Sequence, residues 1–321
     1  MVADFKKDDF RYKDVIPKKA GFGSKVATDF RRNWPIYLLL LPVVVYFIIF
    51  SYIPMVGILM AFQNFNLRLG FFNSPWVGFQ HFIDFFSSHH FVRVIRNTFM
   101  ISFYQLLLFP APIIFALLLN ELRSISFKRV VQTISYMPFF ISTVVFAGIV
   151  LNFFSSTGAM TQVISFFGGP SGNLIGQPGM FRGIFVGTGL WQTLGFSSII
   201  YVAAIAGVDQ ELYEAARMDG AGRLRQTWHI TLPGIAPTVT ILLILAIGQL
   251  LNVGFERIIL LYSPATFETG DVISSFVFRR GLLEVDYSFG AAVGLFNSVV
   301  AFVLIIGANF FARRYSETSL F

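Results

Sequence analysis

Six long apolar stretches, separated by short polar segments, dominate the hydrophobic pattern of this chain. They run over 36–62, 97–120, 130–153, 183–207, 234–255 and 289–312, and none contains Asp, Glu, Lys or Arg. A helix needs about 20 mostly apolar residues to cross the hydrocarbon core of a bilayer. The pattern therefore predicts an all-α integral membrane protein with six transmembrane helices, preceded by a polar leader over residues 1–34. The first stretch exceeds the apolar region of a cleaved signal peptide, about 7–15 residues, and no small-residue cleavage site follows it.

Composition agrees with this reading. Of 321 residues, 55% are hydrophobic and 13% charged, against about 45–50% and about 25% in soluble domains. The 40 Phe residues would be an aggregation hazard on a water-facing surface. A net charge of +7 in a soluble protein would suggest nucleic acid, but here the basic residues sit at the ends of apolar runs. The leader, the second-to-third and fourth-to-fifth loops and the carboxyl end together hold 17 Lys and Arg, and the alternate loops hold seven. The positive-inside rule then predicts that both termini and the loop 209–233 are cytoplasmic. Five aspartates in the leader, Asp4, Asp8, Asp9, Asp14 and Asp29, argue against a nucleic-acid arm.

Several chemistries are excluded or disfavoured. The absence of cysteine rules out disulfides, thiolate metal sites and thiol catalysis. The adjacent His89 and His90 have no acidic residue at ligand spacing, so no metal site is expected. Gly21-Phe22-Gly23-Ser24-Lys25 lacks the glycine spacing of a Walker A phosphate loop, and no HExxH helix is present. The Phe-rich segment 64–92 reads as an amphipathic element at the outer membrane surface, and Gly168–Gly179 as an external loop.

Polar residues are costly in lipid unless they face protein or water, and two spans carry the most suggestive sets. The fourth holds Gly183, Gly187, Gly189 and Gly195 with Thr188, Gln192, Thr193, Ser197 and Ser198, and is expected inside the bundle. Trp191, Gly195 and Ser198 share one helical face there. In the fifth, Gln249, Asn252 and Glu256 follow i, i+3, i+7 spacing, which predicts one polar face in its outer half. Sugars are held by amide and carboxylate hydrogen bonds with aromatic rings stacked on them, so Trp191, Gln192, Gln249, Asn252 and Glu256 are candidates for lining a sugar path. The alternative for Gln249 and Asn252 is hydrogen bonding to neighbouring helices; for Glu256 it is an interfacial ion pair with Arg257. Tyr104, Gln105, Asn152 and Asn297 are weaker candidates.

The loop between these spans reads as a helix–turn–helix on the cytoplasmic face. Asp209 is placed to cap a helix beginning at Gln210, Asp219-Gly220 to end it, and a second short helix fits about Ala221–Ile230 before Pro233. From the residues alone it is a polar connector with a helix in it. Its spacing resembles the EAA signature of ABC import permeases: Glu214-Ala215-Ala216, Gly220, Ile230 and Leu232-Pro233. Asp219-Gly220-Ala221 is similar to the longer form typical of the sugar branch. Ser51-Tyr52-Ile53-Pro54-Met55, Trp76-Val77-Gly78-Phe79, Phe127-Lys128-Arg129, Gln132 to Phe139, Gly294-Leu295-Phe296-Asn297-Ser298 and Leu320-Phe321 look like the LplB-like polysaccharide permeases. Only the part before about Arg31 has nothing diagnostic.

That resemblance implies a type I ABC importer permease fold. It also implies a second permease subunit, related but different, two ATPase subunits that bind ATP and Mg, an external solute-binding protein and an oligosaccharide substrate, in a bacterial cytoplasmic membrane. No cofactor is implied on this chain, and no covalent chemistry. Glu214, Ala215, Ala216, Asp219 and Gly220 would transmit force from a docked ATPase as two permeases switch between inward-facing and outward-facing states. Other readings are a permease for a non-sugar solute, a membrane enzyme, for which no convergent acid–base set is present, and an ion-coupled transporter, for which intramembrane ionisable residues are lacking.

Overall fold

The computed structural model describes residues 22–315, with side chains over 30–310. Most of the polar leader and the terminal Leu320-Phe321 lie outside the described residues. The chain divides into two compact units, the first ending at Gly57 and the second beginning at Ile58. No strand occurs among the described residues; Gln63 and Trp76 form an isolated bridge.

The first unit is helix α1 (Phe22–Phe47) with the π-helical turn Ile48–Tyr52. It therefore begins within the predicted leader. It is kinked at Asn33, two residues before Pro35, because proline offers no amide hydrogen and its ring crowds the preceding turn. A 3-10 segment, Ile53–Phe62, carries the chain into the second unit, and helical structure from Phe30 to Phe62 is long and apolar enough to span.

The second unit is a helical bundle. Helix α2 (Gln80–Ser87) precedes α3 (Phe91–Leu107) and α4 (Pro110–Glu121), which together make one candidate span. Then follow α5 (Ile125–Tyr136), α6 (Thr143–Phe153) and the long α7 (Pro178–Ala206). The connecting helix α8 (Gln210–Met218) leads to α9 (Leu232–Gly248), α10 (Phe255–Leu261), α11 (Ile273–Val277) and α12 (Tyr287–Tyr315). Helix α7 is central: α3, α4, α5 and α9 all pack on it. This agrees with the interior position expected from its glycines and hydroxyls.

Three of the six predicted spans need comment. The stretch 130–153 is broken, its halves meeting at 102°. Pro138 cannot supply an amide to the helix, the chain passes through a 3-10 turn at Met137–Phe140, and the Ser142 hydroxyl caps α6 by accepting from the Val145 amide. Among the described residues five helices are thus long and apolar enough to cross a membrane, or six if the bent pair counts as one. The fifth predicted span ends early, at Gly248. Its sixth counterpart extends slightly, beginning at Tyr287.

Segment 64–92 is more than a surface element. Phe85 on α2 is fully buried, clustered with Val94, Ile273, Phe276, Phe289 and Val293. A second core surrounds α7 through Phe146, Phe181, Phe185, Ile258 and Val272, and takes in Leu174 and Ile175 from the Gly-rich loop. A third joins Ile113 and Ala116 of α4 to Tyr201, Ile205 and Ile235 beneath the connecting loop.

Candidate coupling surface and translocation path

The loop between α7 and α9 has the geometry its sequence predicts. The Asp209 carboxylate accepts from the Glu211 amide at 2.9 Å and opens α8. The helix closes in a Schellman motif: the Ala221 amide donates to the Ala216 carbonyl at 2.8 Å and the Gly220 amide to the Arg217 carbonyl at 3.0 Å. Gly220 sits at φ +74°, a left-handed conformation that a side chain disfavours. The second helix is shorter than expected, Arg223–Gln226, and runs through a π-helical turn at Thr227–Thr231 directly into α9.

This loop is anchored on one side and bare on the other. The Tyr213 and Thr231 hydroxyls are 2.9 Å apart, and Tyr213, Ile230 and Leu232 pack on the third core. Arg223 pairs with Glu121 at the end of α4, 2.7 Å away. Glu214, Ala215 and Asp219 are exposed and Ala216 half-buried. Around them Leu212, Met218, Leu224 and Trp228 are exposed apolar side chains.

The polar face expected on the fifth span does not exist as a helical stripe. Because α9 stops at Gly248, Gln249 caps its end and Asn252 lies in the following turn, where the Asn252 amide donates to the Gln249 side-chain oxygen at 3.3 Å. Glu256 belongs to a separate helix, α10, started by Gly254 at φ +80°. The Ser102 hydroxyl on α3 donates to the Leu250 carbonyl, taking up a backbone acceptor freed by the helix end. Helical spacing could not report a turn inserted between the residues it counts.

The candidates are distributed over three cavities. Gln249 lines one of about 740 Å³ between α3, α4, α7 and α9, with Gln105, Thr193 and Ser197. Gln192, Asn252 and Glu256 line a neighbouring one of about 550 Å³, again with Gln105. Trp191 faces elsewhere, into an apolar cavity of about 600 Å³ with Phe153, Phe154 and Gly187, and stacks on Phe146 at 5.5 Å. The other two members of its predicted face are buried. A methyl at Gly195 would overlap the Ser135 carbonyl of α5, and the Ser198 hydroxyl donates to the Gly195 carbonyl at 2.6 Å. The Gln192 amide donates to the Ile141 carbonyl at the break before α6, 3.4 Å away.

Arg257 and Gln105 border both the 740 Å³ and the 550 Å³ cavities. The expected Glu256–Arg257 ion pair is absent. The Arg257 guanidinium instead lies 4.1 Å above the centre of the Phe185 ring, against α7 where Gly189 leaves room for it. The sequence presents Arg257 as a basic residue of an outer loop and as an ion-pair partner for Glu256. Its neighbour Gly189, in a helix full of glycines, gave no signal of what it accommodates. Burial pushes the guanidinium, which lies beyond the fifth span, down to about 10, so it keeps its charge at neutral pH.

Among the described residues no group of three or more His, Asp or Glu is placed to hold a metal. The His89 and His90 rings lie 3.7 Å apart, tilted at 45° to each other. Residues 108–317, which hold the loop and every path candidate named above except Tyr104 and Gln105, match the model of the binding-protein-dependent transport system inner membrane component family. The chain belongs to this family. Like other binding-protein-dependent permeases it is a multi-pass membrane component of a transport system and not an enzyme.

Within this permease family it is 43% identical to Protein LplB of Bacillus subtilis (strain 168) over 96% of this chain and 100% of that one. It is 42% identical to YteP, the polygalacturonan/rhamnogalacturonan transport system permease of the same organism, over 89% and 90% of the two chains. A crystal structure of a bacterial ABC transporter involved in importing the acidic polysaccharide alginate superposes with a TM-score of 0.84 at 44% identity, covering 90% of this chain and 99% of that one. The alginate transporter has also been solved with a periplasmic protein carrying an alginate pentasaccharide.

Proposed function

We propose that this permease is one transmembrane subunit of an ATP-driven bacterial importer. It translocates oligosaccharides delivered by an external solute-binding protein, by alternating access. It works with a second, related permease and two ATPase subunits that bind ATP and Mg, and its termini and the α8 loop lie on the cytoplasmic side. The observation that carries this reading is the α8 loop. It offers an exposed acidic residue and small alanines on α8, with four bare apolar side chains on α8 and the short helical segment after it, while Arg223 ties the loop to α4 and Tyr213 ties it to the turn before α9. A partner seated on Glu214, Ala215, Ala216, Asp219 and Gly220 would push through Tyr213 onto Thr231, in the turn that leads directly into α9, the helix capped by Gln249.

The names of the relatives support oligosaccharides as the cargo, and the amide-lined cavities suit hydroxyl groups. Reconstituted with its partners, the complex should hydrolyse ATP faster when sugar-loaded binding protein is added. Glu214→Lys should remove that stimulation while leaving the solubilised complex assembled and its membrane spans folded. Normal stimulation in Glu214→Lys would overturn the coupling role, and a wild-type complex indifferent to every loaded binding protein would overturn the importer reading.

A further inference from the structure

Arg257 takes part in no ion pair among the described residues, although other arginines of the second unit do: Arg93 and Arg279 share Asp271, and Arg280 pairs with Glu284. Its Nε is buried without a hydrogen-bond partner. A half-buried charge left without a counter-charge is a cost that folding alone does not reward, and a partly desolvated cation bordering a cavity points to an anion that arrives. Its planar fork matches a carboxylate, which it can grip through two parallel hydrogen bonds.

The surroundings narrow the choice of anion. The larger cavity is mostly apolar, walled by Leu108, Phe109, Leu242 and Leu245 among others, and its polar groups beside Arg257 are the neutral Gln105, Gln249, Thr193 and Ser197. On the side of the smaller cavity stands Glu256, which repels an approaching carboxylate. An acidic sugar is therefore directed to the larger cavity. Gly189 is part of the arrangement, since a methyl there would overlap both terminal nitrogens of the guanidinium.

We propose that Arg257, with Gln105 and Gln249, forms a carboxylate subsite in the translocation path that favours oligosaccharides containing uronic acid. This rests on the importer reading above. The subsite gives the path its own charge preference, separate from the selection made by the binding protein.

The test is equilibrium binding of labelled tetragalacturonate, and of its fully methyl-esterified form, to the assembled complex of permeases and ATPases in nanodiscs. The acid should bind at least about tenfold more tightly than the ester, a difference of about 1.4 kcal/mol, and added salt should weaken the acid alone. Arg257→Gln should erase the difference and Arg257→Lys should keep part of it. Gly189→Ala should weaken the acid more than the ester. A wild-type complex that binds both forms equally, or neither, overturns the subsite; so does Arg257→Gln lowering both equally. Stimulation of wild-type ATP hydrolysis by loaded binding protein separates the two ideas. If it persists when the acid preference is absent, the subsite fails and the importer reading stands. If no oligosaccharide, acidic or neutral, stimulates, the importer reading fails as well.

Discussion

Asp271 holds Arg279 with both carboxylate oxygens, at 2.7 Å and 3.1 Å, while itself fully buried. The same carboxylate accepts from Arg93 on α3 at 3.0 Å and from the Ser275 hydroxyl at 3.0 Å. One acidic side chain thus pairs with arginines from two separate helical segments and ties α3 to the start of α11. Removing one partner of a buried ion pair strands the rest and typically costs about 3–5 kcal/mol. Asp271→Asn should destabilise the solubilised protein by that order in thermal unfolding. A change within about 0.5 kcal/mol, the range of ordinary surface substitutions, would show that the network contributes no stability.

His90 gives the same region a dependence on pH. Arginine only donates, so the 2.9 Å contact from Arg93 requires His90 Nδ1 to accept and the ring proton to sit on Nε2. Burial, with the charges of His89 and Arg93, holds the imidazole below its usual 6.5 against the opposing pull of Asp271. The unfolded chain therefore binds more protons as pH falls below about 6.5. The stability linked to His90 is complete above that value and is lost as pH drops towards the lowered folded-state pKa. The melting temperature should fall between pH 7 and pH 5 less in His90→Gln than in the wild type. Parallel pH profiles for the two proteins would refute the assignment.

The crossing of α5 and α7 depends on Gly195, which presses against the Ser135 carbonyl. Gly195→Ala should force the helices apart at a cost of about 1–3 kcal/mol, the usual range for overpacking a filled site. Gly148→Ala on α6, where an added methyl meets nothing within 4 Å, serves as the matched control. Equal melting temperatures for the two variants would remove the close approach as an explanation.

Gly220→Ala places a methyl on a left-handed residue and should strain the end of α8 by about 1–2 kcal/mol. Because this loop is exposed, its effect should appear in binding-protein-stimulated ATP hydrolysis more than in the melting of the spans. A large loss of thermal stability with normal stimulation would place its role in the bundle.

Gln249→Ala and Asn252→Ala remove side chains that contact each other and border the two cavities that meet at Arg257. Each should reduce oligosaccharide uptake by reconstituted transporter more than basal ATP hydrolysis. Proportional losses in both would favour a structural role for this turn.

What could be read from the sequence divides along a physical line. The α8 loop was legible almost residue by residue, since capping by Asp209 and the turn at Gly220 are local effects set by adjacent residues. The broken third stretch was not, because a run of apolar residues is equally compatible with one straight helix or two bent ones, and Pro138 marks only a place where bending is cheap. Gln249, Asn252 and Glu256 were correctly singled out as polar residues near a membrane interior, but their common face was an artefact of assuming that α9 continues past Gly248.

By itself the sequence determined the membrane class, the approximate limits of the spans and the chemistry of the connecting loop. Each depends on burial in lipid or on contacts within a few positions, and both leave a periodic or local mark. Only the tertiary structure decided that Trp191 faces away from Gln249, that Asp271 gathers Arg93 and Arg279, and that Arg257 turns from Glu256 to lie on Phe185 beside Gly189. Those relationships join residues up to 186 positions apart, from Arg93 to Arg279. They arise when helices pack and their side chains compete for the same space, which no local pattern records.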